Sequence, residues 1–225
     1  MIDKRVGSVS EAIQGITDGT TLMVSGFGGA GVPVDLIKGL AQSEVRDLNI
    51  VINAIRFLET YAPSLFQDRR VKSVVCSAFR GRDREPSNYE RQWQAGELAI
   101  DLSPQGSFSE RIRAGGAGIP AFFTPTAAGT QLAEGKEVRD FEGRPCILET
   151  AIKGDFAFLR AAEGDRFGNL RFRGTQANFG PIMAMASKVA VAEVASFSEK
   201  PLEADQIHLS GVFIDRILVA PGTGA

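Results

Sequence analysis

The sequence predicts an α/β fold, an open and mostly parallel sheet flanked by helices, with additional antiparallel strands. Three observations carry this. In the first half, short apolar runs alternate with segments of helical periodicity, the pattern of successive βα units. Those runs, such as Leu22-Met23-Val24 and Ile50-Val51-Ile52, are apolar at every position, as strands covered on both faces must be. In the second half the segments are shorter, more charged and joined by Gly turns, which is antiparallel patterning.

The elements follow in order. Ser8-x-x-Glu11 reads as a capping box, and Val9, Ala12, Ile13 and Ile16 give a helix that Asp18-Gly19 stops. Residues 21–25 form a buried strand. Pro33 stands near the first position of a second helix, where its missing N–H costs nothing, and Leu36, Ile37, Leu40 and Ala41 are its inward face. Strands are expected at 48–53, 71–76 and 98–102, with helices at 89–94 and 108–113. Residues 137–141 and 144–148, joined by Glu142-Gly143, read as a hairpin. Strands at 155–160 and 170–173 flank the turn Gly164-Asp165-Arg166-Phe167-Gly168-Asn169, in which Asp165 and Arg166 are expected to pair. A helix at 182–187, a strand at 189–194 and a final strand-like segment at 212–219 complete one domain over residues 1–225.

Composition narrows the function. Of 225 residues, 44% are hydrophobic and 23% charged, ordinary for a globular chain, and the net charge of −2 offers no basic stripe for nucleic acid. No apolar span approaches the roughly 20 residues of a membrane helix, and no signal-peptide pattern opens the chain, so a cytoplasmic protein is expected. Cys76 and Cys146 lie in strand-like runs as buried thiols. With a single histidine, His208, and no ligand spacing, no metal site is expected. No G-x-S-x-G elbow supports Ser-His-Asp chemistry.

The most informative motif is Ser25-Gly26-Phe27-Gly28-Gly29-Ala30-Gly31-Val32, between strand and helix. Glycines there let the backbone turn tightly and approach a ligand, and the N–H groups of the following helix start favour anions. The letters Gly26, Gly28 and Gly31 match the dinucleotide fingerprint, but the acid that would bind the ribose is missing, since residues 50–54 read Ile50-Val51-Ile52-Asn53-Ala54. A purely structural turn is the other reading. Asn53 ends the second strand, and Gln105 follows a strand beside Ser107-x-x-Glu110, read as another capping box. Such amides at carboxyl ends of strands can donate to a carboxylate or an oxyanion, or tie down their own loops. Gly115, Gly116 and Gly118, with Phe122 and Phe123, form a second glycine-rich stretch that either packs in the core or lines an apolar channel. Arg111 and Arg113 read as solvated residues of a surface helix.

Together these residues resemble a family. Asp18-Gly19, then Leu22-Met23-Val24-Ser25-Gly26-Phe27-Gly28, Gly31 and Pro33, is similar to the N-terminal signature of the family I CoA-transferases. The stretch from Ser103-Pro104-Gln105-Gly106 through Gly115-Gly116-Ala117-Gly118 to Phe122-Phe123-Thr124-Pro125-Thr126 is similar to the family's internal signature. Gly164 to Asn169 with Asn178-Phe179 matches a third. The resemblance covers nearly the whole chain and lies nearest the A (α) subunit of 3-oxoacid CoA-transferases. It implies a ping-pong exchange through a glutamyl-CoA thioester, with CoA thioester as substrate and no cofactor. The nucleophilic glutamate is expected on a β subunit, because its Ser-Glu-Asn-Gly type turn is absent here, leaving no catalytic nucleophile in this chain. Gly26, Phe27, Gly28, Gly29 and Gly31 would form the active-site loop, Asn53 and Gln105 the substrate and oxyanion donors, and the Gly115 to Phe123 stretch the CoA channel. Partners implied are the β subunit, in a hetero-oligomer such as α2β2, an acyl-CoA and a small carboxylic acid. The chain departs from the family at Ser25, at Ala54 where a second Asn is usual, across residues 56–70 and 80–85, and at Ala127-Ala128. These departures leave a hydrolase on the same scaffold, or a non-catalytic assembly subunit, open as other readings.

Overall fold

The protein's structure, a computed structural model, describes residues 2–81 and 83–220. In chain order the first half contains β1 (Arg5–Val6), α1 (Val9–Ala12), β2 (Thr21–Val24), α2 (Val34–Gln42), β3 (Leu48–Ile52), α3 (Arg56–Tyr61), α4 (Ser64–Gln67), β4 (Val71–Cys76), α5 (Asn88–Gln94), β5 (Ala99–Leu102) and α6 (Gln105–Gly116). The second half contains β6 (Ala121–Thr124), β7 (Val138–Phe141), β8 (Arg144–Thr150), β9 (Gly154–Asp165), β10 (Leu170–Arg171), α7 (Gly180–Met185), β11 (Ser187–Ser198) and β12 (Arg216–Val219).

The main sheet has the order β1-β12-β11-β9-β2-β3-β4-β5, parallel throughout, with the two-residue β10 antiparallel to β9. The expected α/β class therefore holds. The antiparallel strands are arranged differently from expectation: β7 and β8 do form a hairpin, but with the unforeseen β6 they make a separate sheet of three strands. Strand order reverses about β2, since β3 to β5 extend one way and β9, β11 and β12 the other. The carboxyl ends of β2 and its neighbours thus form the switch point at which open α/β sheets bind ligands.

Alternation along the central strands explains the two cores. Leu22, Val24, Ile50 and Ile52 face one side and pack with Leu36, Leu40, Phe66 and Tyr89. Met23 and Val51 face the other and pack with Phe108, Ile112, Leu159 and Met183. A strand with both faces covered has no polar positions to spare, which is why these runs are unbroken. Each fully buried Leu contributes about 1.5–3 kcal/mol over an exposed one.

Several boundaries differ from the sequence reading. The first helix is only Val9–Ala12: Ser8 Oγ accepts from Glu11 N at 3.1 Å, but Glu11 reaches past Ser8 to Gly7 N at 2.8 Å. The helix expected to begin at residue 108 runs over Gln105–Gly116, with Pro104 at its N-cap. Ser107 and Glu110 are no capping box there; Ser107 Oγ is buried without a hydrogen-bond partner and Glu110 pairs with Arg113 at 2.6 Å. A complete Ser-x-x-Glu capping box forms instead between Ser87 and Glu90 at the start of α5. The strand expected at 155–160 extends over twelve residues, and the final strand is confined to Arg216–Val219.

Arg111 is not a solvated surface residue. It lies 9% exposed between Asp101 (2.9 Å) and Glu149 (3.7 Å), donates Nε–H to Thr150 O, and Glu149 also binds Lys136 at 2.6 Å. This network pins β8 of the small sheet to α6 and β5. Arg113, by contrast, is exposed on its own helix. Asp165 forms no ion pair with Arg166. Its carboxylate accepts from Phe167 N, Asn169 N, Asn169 Nδ2 and Leu202 N, all at 2.8–3.0 Å, while Arg166 stands over the Phe167 ring. A buried carboxylate satisfied by four N–H donors needs no counter-ion beside it. Both cysteines are free and buried, as expected.

Candidate functional site

The glycine loop leaves β2 at Ser25, whose buried hydroxyl donates to Gly31 O at 2.7 Å and closes the base of the loop. At the tip, Phe27 and Ala30 exchange both backbone hydrogen bonds (3.0 and 2.9 Å) around Gly28 and Gly29. Both central residues have positive φ, 60° and 95°, the requirement of a primed two-residue turn. Beside the tip, Phe27 is 44% exposed.

What holds the loop is Asn178. Its Oδ1 accepts from Gly26 N at 3.1 Å, and its Nδ2 donates to Ala30 O at 3.0 Å, so one side chain grips both arms. Gly31 lies against the same segment: a Cβ there would come within 2.5 Å of Gln176 O. Asn178 is part of a recognisable signature, but nothing in the sequence says that it clamps a loop some 150 residues earlier.

The start of α2 corrects the expectation of a free anion site. Two N–H groups of its first turn, Asp35 N and Leu36 N, donate to Glu193 Oε2 at 2.8 and 3.0 Å. Glu193 is fully buried on β11 and its other oxygen binds Arg160. Burial raises this carboxyl above its ordinary range, opposed by the Leu36 N–H and by Arg160. A carboxylate of the chain itself thus occupies the place where a dinucleotide fold would seat pyrophosphate. Nucleotide binding of that kind is excluded at this helix.

Asn53 immediately follows β3 and is 4% exposed. Its Nδ2 donates to Ser77 Oγ at 2.6 Å, and its carbonyl accepts from Ser77 N and Ala78 N. The amide is fixed against the end of β4 and retains a second N–H. Ala54 beside it is buried in the core and bridges Ala78. Gln105 opens α6, exposed, and its side chain forms no hydrogen bond among the described residues, so it does not tie down its own loop. An aromatic chain links its helix to the glycine loop, from Phe27 to Phe179 (centroids 6.4 Å) and on to Phe108 of α6 (5.3 Å).

The second glycine stretch is a helix end. Ile119 N donates to Ala114 O and Gly118 N to Gly115 O around Gly118 at φ 75°, a Schellman closure. Gly115 and Gly116 permit close packing: Cβ atoms would lie 2.0 Å from Ile152 O and 2.9 Å from Met185 Cβ. Phe122 and Phe123 are half-buried on the small sheet, Phe123 between Phe141 and Arg139. Close packing accounts for Gly115 and Gly116, and the positive φ of the helix end for Gly118.

Beside the loop lies a cleft of about 580 Å³, walled by Gly28, Gly29, residues of α3 and α5, Gly81, Asp83 and residues 85–87. Part of the segments that depart from the family pattern, residues of α3 with Gly81, Asp83 and Glu85, therefore lies beside the loop. Nothing in the local sequence places them there. Among the described residues there is no cluster able to hold a metal ion and no helix long and apolar enough to cross a membrane. The Cys76 thiol, at the end of β4, is pushed up to about 12 by burial and by Asp101, and so stays protonated.

A sequence model described as Coenzyme A transferase matches residues 6–220. The chain is 44% identical over 226 residues to the A subunit of 3-oxoadipate CoA-transferase from Pseudomonas putida, covering 100% of this chain and 97% of the other. It is 41% identical over 218 residues to the A subunit of succinyl-CoA:3-ketoacid coenzyme A transferase from Xanthomonas campestris pv. campestris strain B100, covering 96% and 88%. Among solved structures, the AibA/AibB decarboxylase superposes with a TM-score of 0.80 at 26% identity over 98% of this chain and 84% of that one. The glutaconate coenzyme A-transferase of Acidaminococcus fermentans superposes with a TM-score of 0.80 at 16% identity over 96% and 76%, a likeness of fold.

Proposed function

Because the chain belongs to the coenzyme A transferase family, we propose that it is the A (α) subunit of a heteromeric enzyme that moves CoA between succinyl-CoA, or another small acyl-CoA, and a 3-oxoacid. The nucleophile is a glutamate of the partner. Its carboxylate oxygen attacks the thioester carbon; the C–S bond breaks, CoA leaves as thiolate, and a mixed anhydride remains. The thiolate then attacks the glutamyl carbon, releasing the donor acid and leaving a glutamyl-CoA thioester. The acceptor carboxylate reverses both steps on itself and restores the glutamate. No proton is gained or lost overall, no redox change occurs, and CoA enters as substrate, so no resident cofactor is required.

Each attack places charge on a carbonyl oxygen, and this chain's part is to stabilise it. The remaining N–H of Asn53 and the unbonded amide of Gln105 are the donors suited to that task. The observation that carries the reading is this pairing of unspent amide donors with the absence, among the described residues, of an activated nucleophile beside them. Cys76 is held protonated, the Ser25 hydroxyl is spent on Gly31, and Glu59 Oε1 accepts from Asn88 N at 3.0 Å. Phe27 and Leu102, exposed beside the loop and beside Gln105, are apolar surface for the partner. An α2β2 assembly in the cytoplasm is part of this proposal.

Co-expression with the reading frame encoding a Ser-Glu-Asn-Gly turn tests it. The purified complex should exchange CoA between acids with strict dependence on an added carboxylate, and this chain alone should not. Full-rate transfer by the isolated chain refutes the division of labour, and CoA accumulating without an acceptor shows a hydrolase.

A further inference from the structure

The cleft beside the glycine loop contains polar groups that neither the fold nor the transfer steps use. Arg56 opens α3, three residues beyond Asn53, and lines the cleft with Gly28 and Gly29. Its guanidinium carbon stands 4.9 Å from the Phe57 ring centroid, its Nε is buried without a hydrogen-bond partner, and it makes no ion pair among the described residues. Tyr89, in the same wall, is fully buried, and its hydroxyl interacts with the Ser87 side chain without forming a geometrically complete hydrogen bond. The neighbouring Ser87 hydroxyl donates to Glu90 Oε2 at 2.8 Å. Buried donors left without a good partner are costly, and both belong to residues that line this one cleft.

The acids of the cleft do not supply an acceptor. Glu59 is engaged with the Asn88 N–H, and Asp83 and Glu85 are exposed. Those exposed carboxylates also oppose entry of a polyphosphate, whereas a single carboxylate arm can pass between them to a planar guanidinium fork. Burial, the largest influence on Tyr89, raises its hydroxyl above the ordinary range and keeps it a neutral donor.

Resting on the CoA-transfer reading, we propose that Arg56, with the Tyr89 hydroxyl, binds the distal carboxylate of a dicarboxylic acyl group. The cleft then sets a preference for substrates bearing a second acid, and Arg56 is its specificity-determining residue. With the acyl carbon held near Asn53 and the loop, the far end of a short diacid extends along α3 into this space.

The test uses the assembled complex with succinyl-CoA and butyryl-CoA, which have the same chain length and differ in the terminal carboxylate. Arg56→Ala should lower kcat/KM for succinyl-CoA by about 10- to 100-fold, the range of a charge-assisted pair, and leave butyryl-CoA within about twofold. Arg56→Lys should recover part of the loss, and Tyr89→Phe, which keeps the ring, should give a smaller selective loss. Equal losses on both thioesters, or none, overturn the proposal. Saturation-transfer NMR of adipate against hexanoate on the same complex separates the two readings. An adipate signal that requires Arg56, without CoA exchange, upholds the carboxylate subsite and defeats the transfer reading. CoA exchange together with Arg56-independent adipate binding does the reverse.

Discussion

Replacing Asn178 with alanine should free the glycine loop while leaving the sheet beneath it intact. The side chain supplies two bonds to the loop, from Gly26 N to Oδ1 and from Nδ2 to Ala30 O. At about 1 kcal/mol net for each, the loop loses about 2 kcal/mol of local stability. Gly26 is buried, so its N–H is left without a partner and the loss falls toward the upper side of that figure. Since about 1.36 kcal/mol is a tenfold change in an equilibrium, hydrogen exchange at the Gly26 amide should accelerate by about 30-fold. The turn at the tip keeps its own Phe27–Ala30 pair, and the amides of β2 keep their ladder. Exchange measured residue by residue on the complex should therefore show an effect confined to the arms of the loop, accompanied by slower CoA exchange. A change at Gly26 below about threefold would refute the clamp. Equal acceleration through Leu22 and Val24 would mean that Asn178 supports the whole sheet.

Other substitutions probe other parts of the molecule. Glu193→Ala removes the cap of α2 and breaks its buried pair with Arg160, and urea unfolding should show a loss of about 3–5 kcal/mol; a loss under about 1 kcal/mol would show the carboxylate to be dispensable. Gly31→Ala forces a Cβ onto Gln176 O at a φ of 72°, so the unfolding free energy should fall by about 1–3 kcal/mol, and an unchanged midpoint would contradict the packing. Gln105→Ala should lower kcat of the complex by about 100-fold without moving the unfolding midpoint, because the side chain is exposed and unbonded; unaltered turnover removes Gln105 from the site. Burial alone would raise the Glu90 carboxyl, but the Ser87 N–H and hydroxyl, the Gly81 N–H and Arg80 outweigh it and hold it below its ordinary 4.5. The native state then binds fewer protons than the unfolded chain, so this stabilisation is present above about pH 4.5 and lost as pH falls through the native value. Acid titration should show a steeper loss of stability in the wild type than in Glu90→Gln, and identical curves would sink the assignment.

The central strands are legible in the sequence because burial on both faces leaves a run with no polar interruption, as in Leu22-Met23-Val24 of β2 and Ile50-Val51-Ile52 of β3. Helix α2 is legible because Leu36, Ile37 and Leu40 repeat at helical spacing. Helices α3 and α4 are not, although Phe57, Leu58, Ala62, Leu65 and Phe66 are buried at compatible intervals, since Pro63 interrupts the pattern between them. The Ser-x-x-Glu motifs at Ser8 and Ser107 form no complete capping box, while the one at Ser87 does. The motif marks a local possibility, and competing partners, such as Arg113 three residues on for Glu110, decide whether it is used. At the site, Asn53, Gln105 and the glycine loop are visible as residue types at strand ends. The cap from Glu193 and the grip of Asn178 come from 158 and 152 residues away, and no local pattern encodes them.

Strand β1 lies at the edge of the main sheet, paired with β12 through Arg5↔Ile217 and Val6↔Leu218, while Lys4 Nζ donates to Gly211 O and Ile214 O. During synthesis, then, β1 waits for β12 before it has a neighbour. The centre of the sheet waits as well, because β2 joins β9 across more than 130 residues, as in the Thr21–Asp155 hydrogen bond. Until β9 emerges, the β2–β5 half carries an open, apolar edge at Leu22 and Val24. Such an order of events makes for slow folding and an aggregation-prone nascent chain. It also makes the closing strand β12 a checkpoint: a chain cut short before Arg216 keeps its loop and amide donors but leaves the long edge of β11 uncovered.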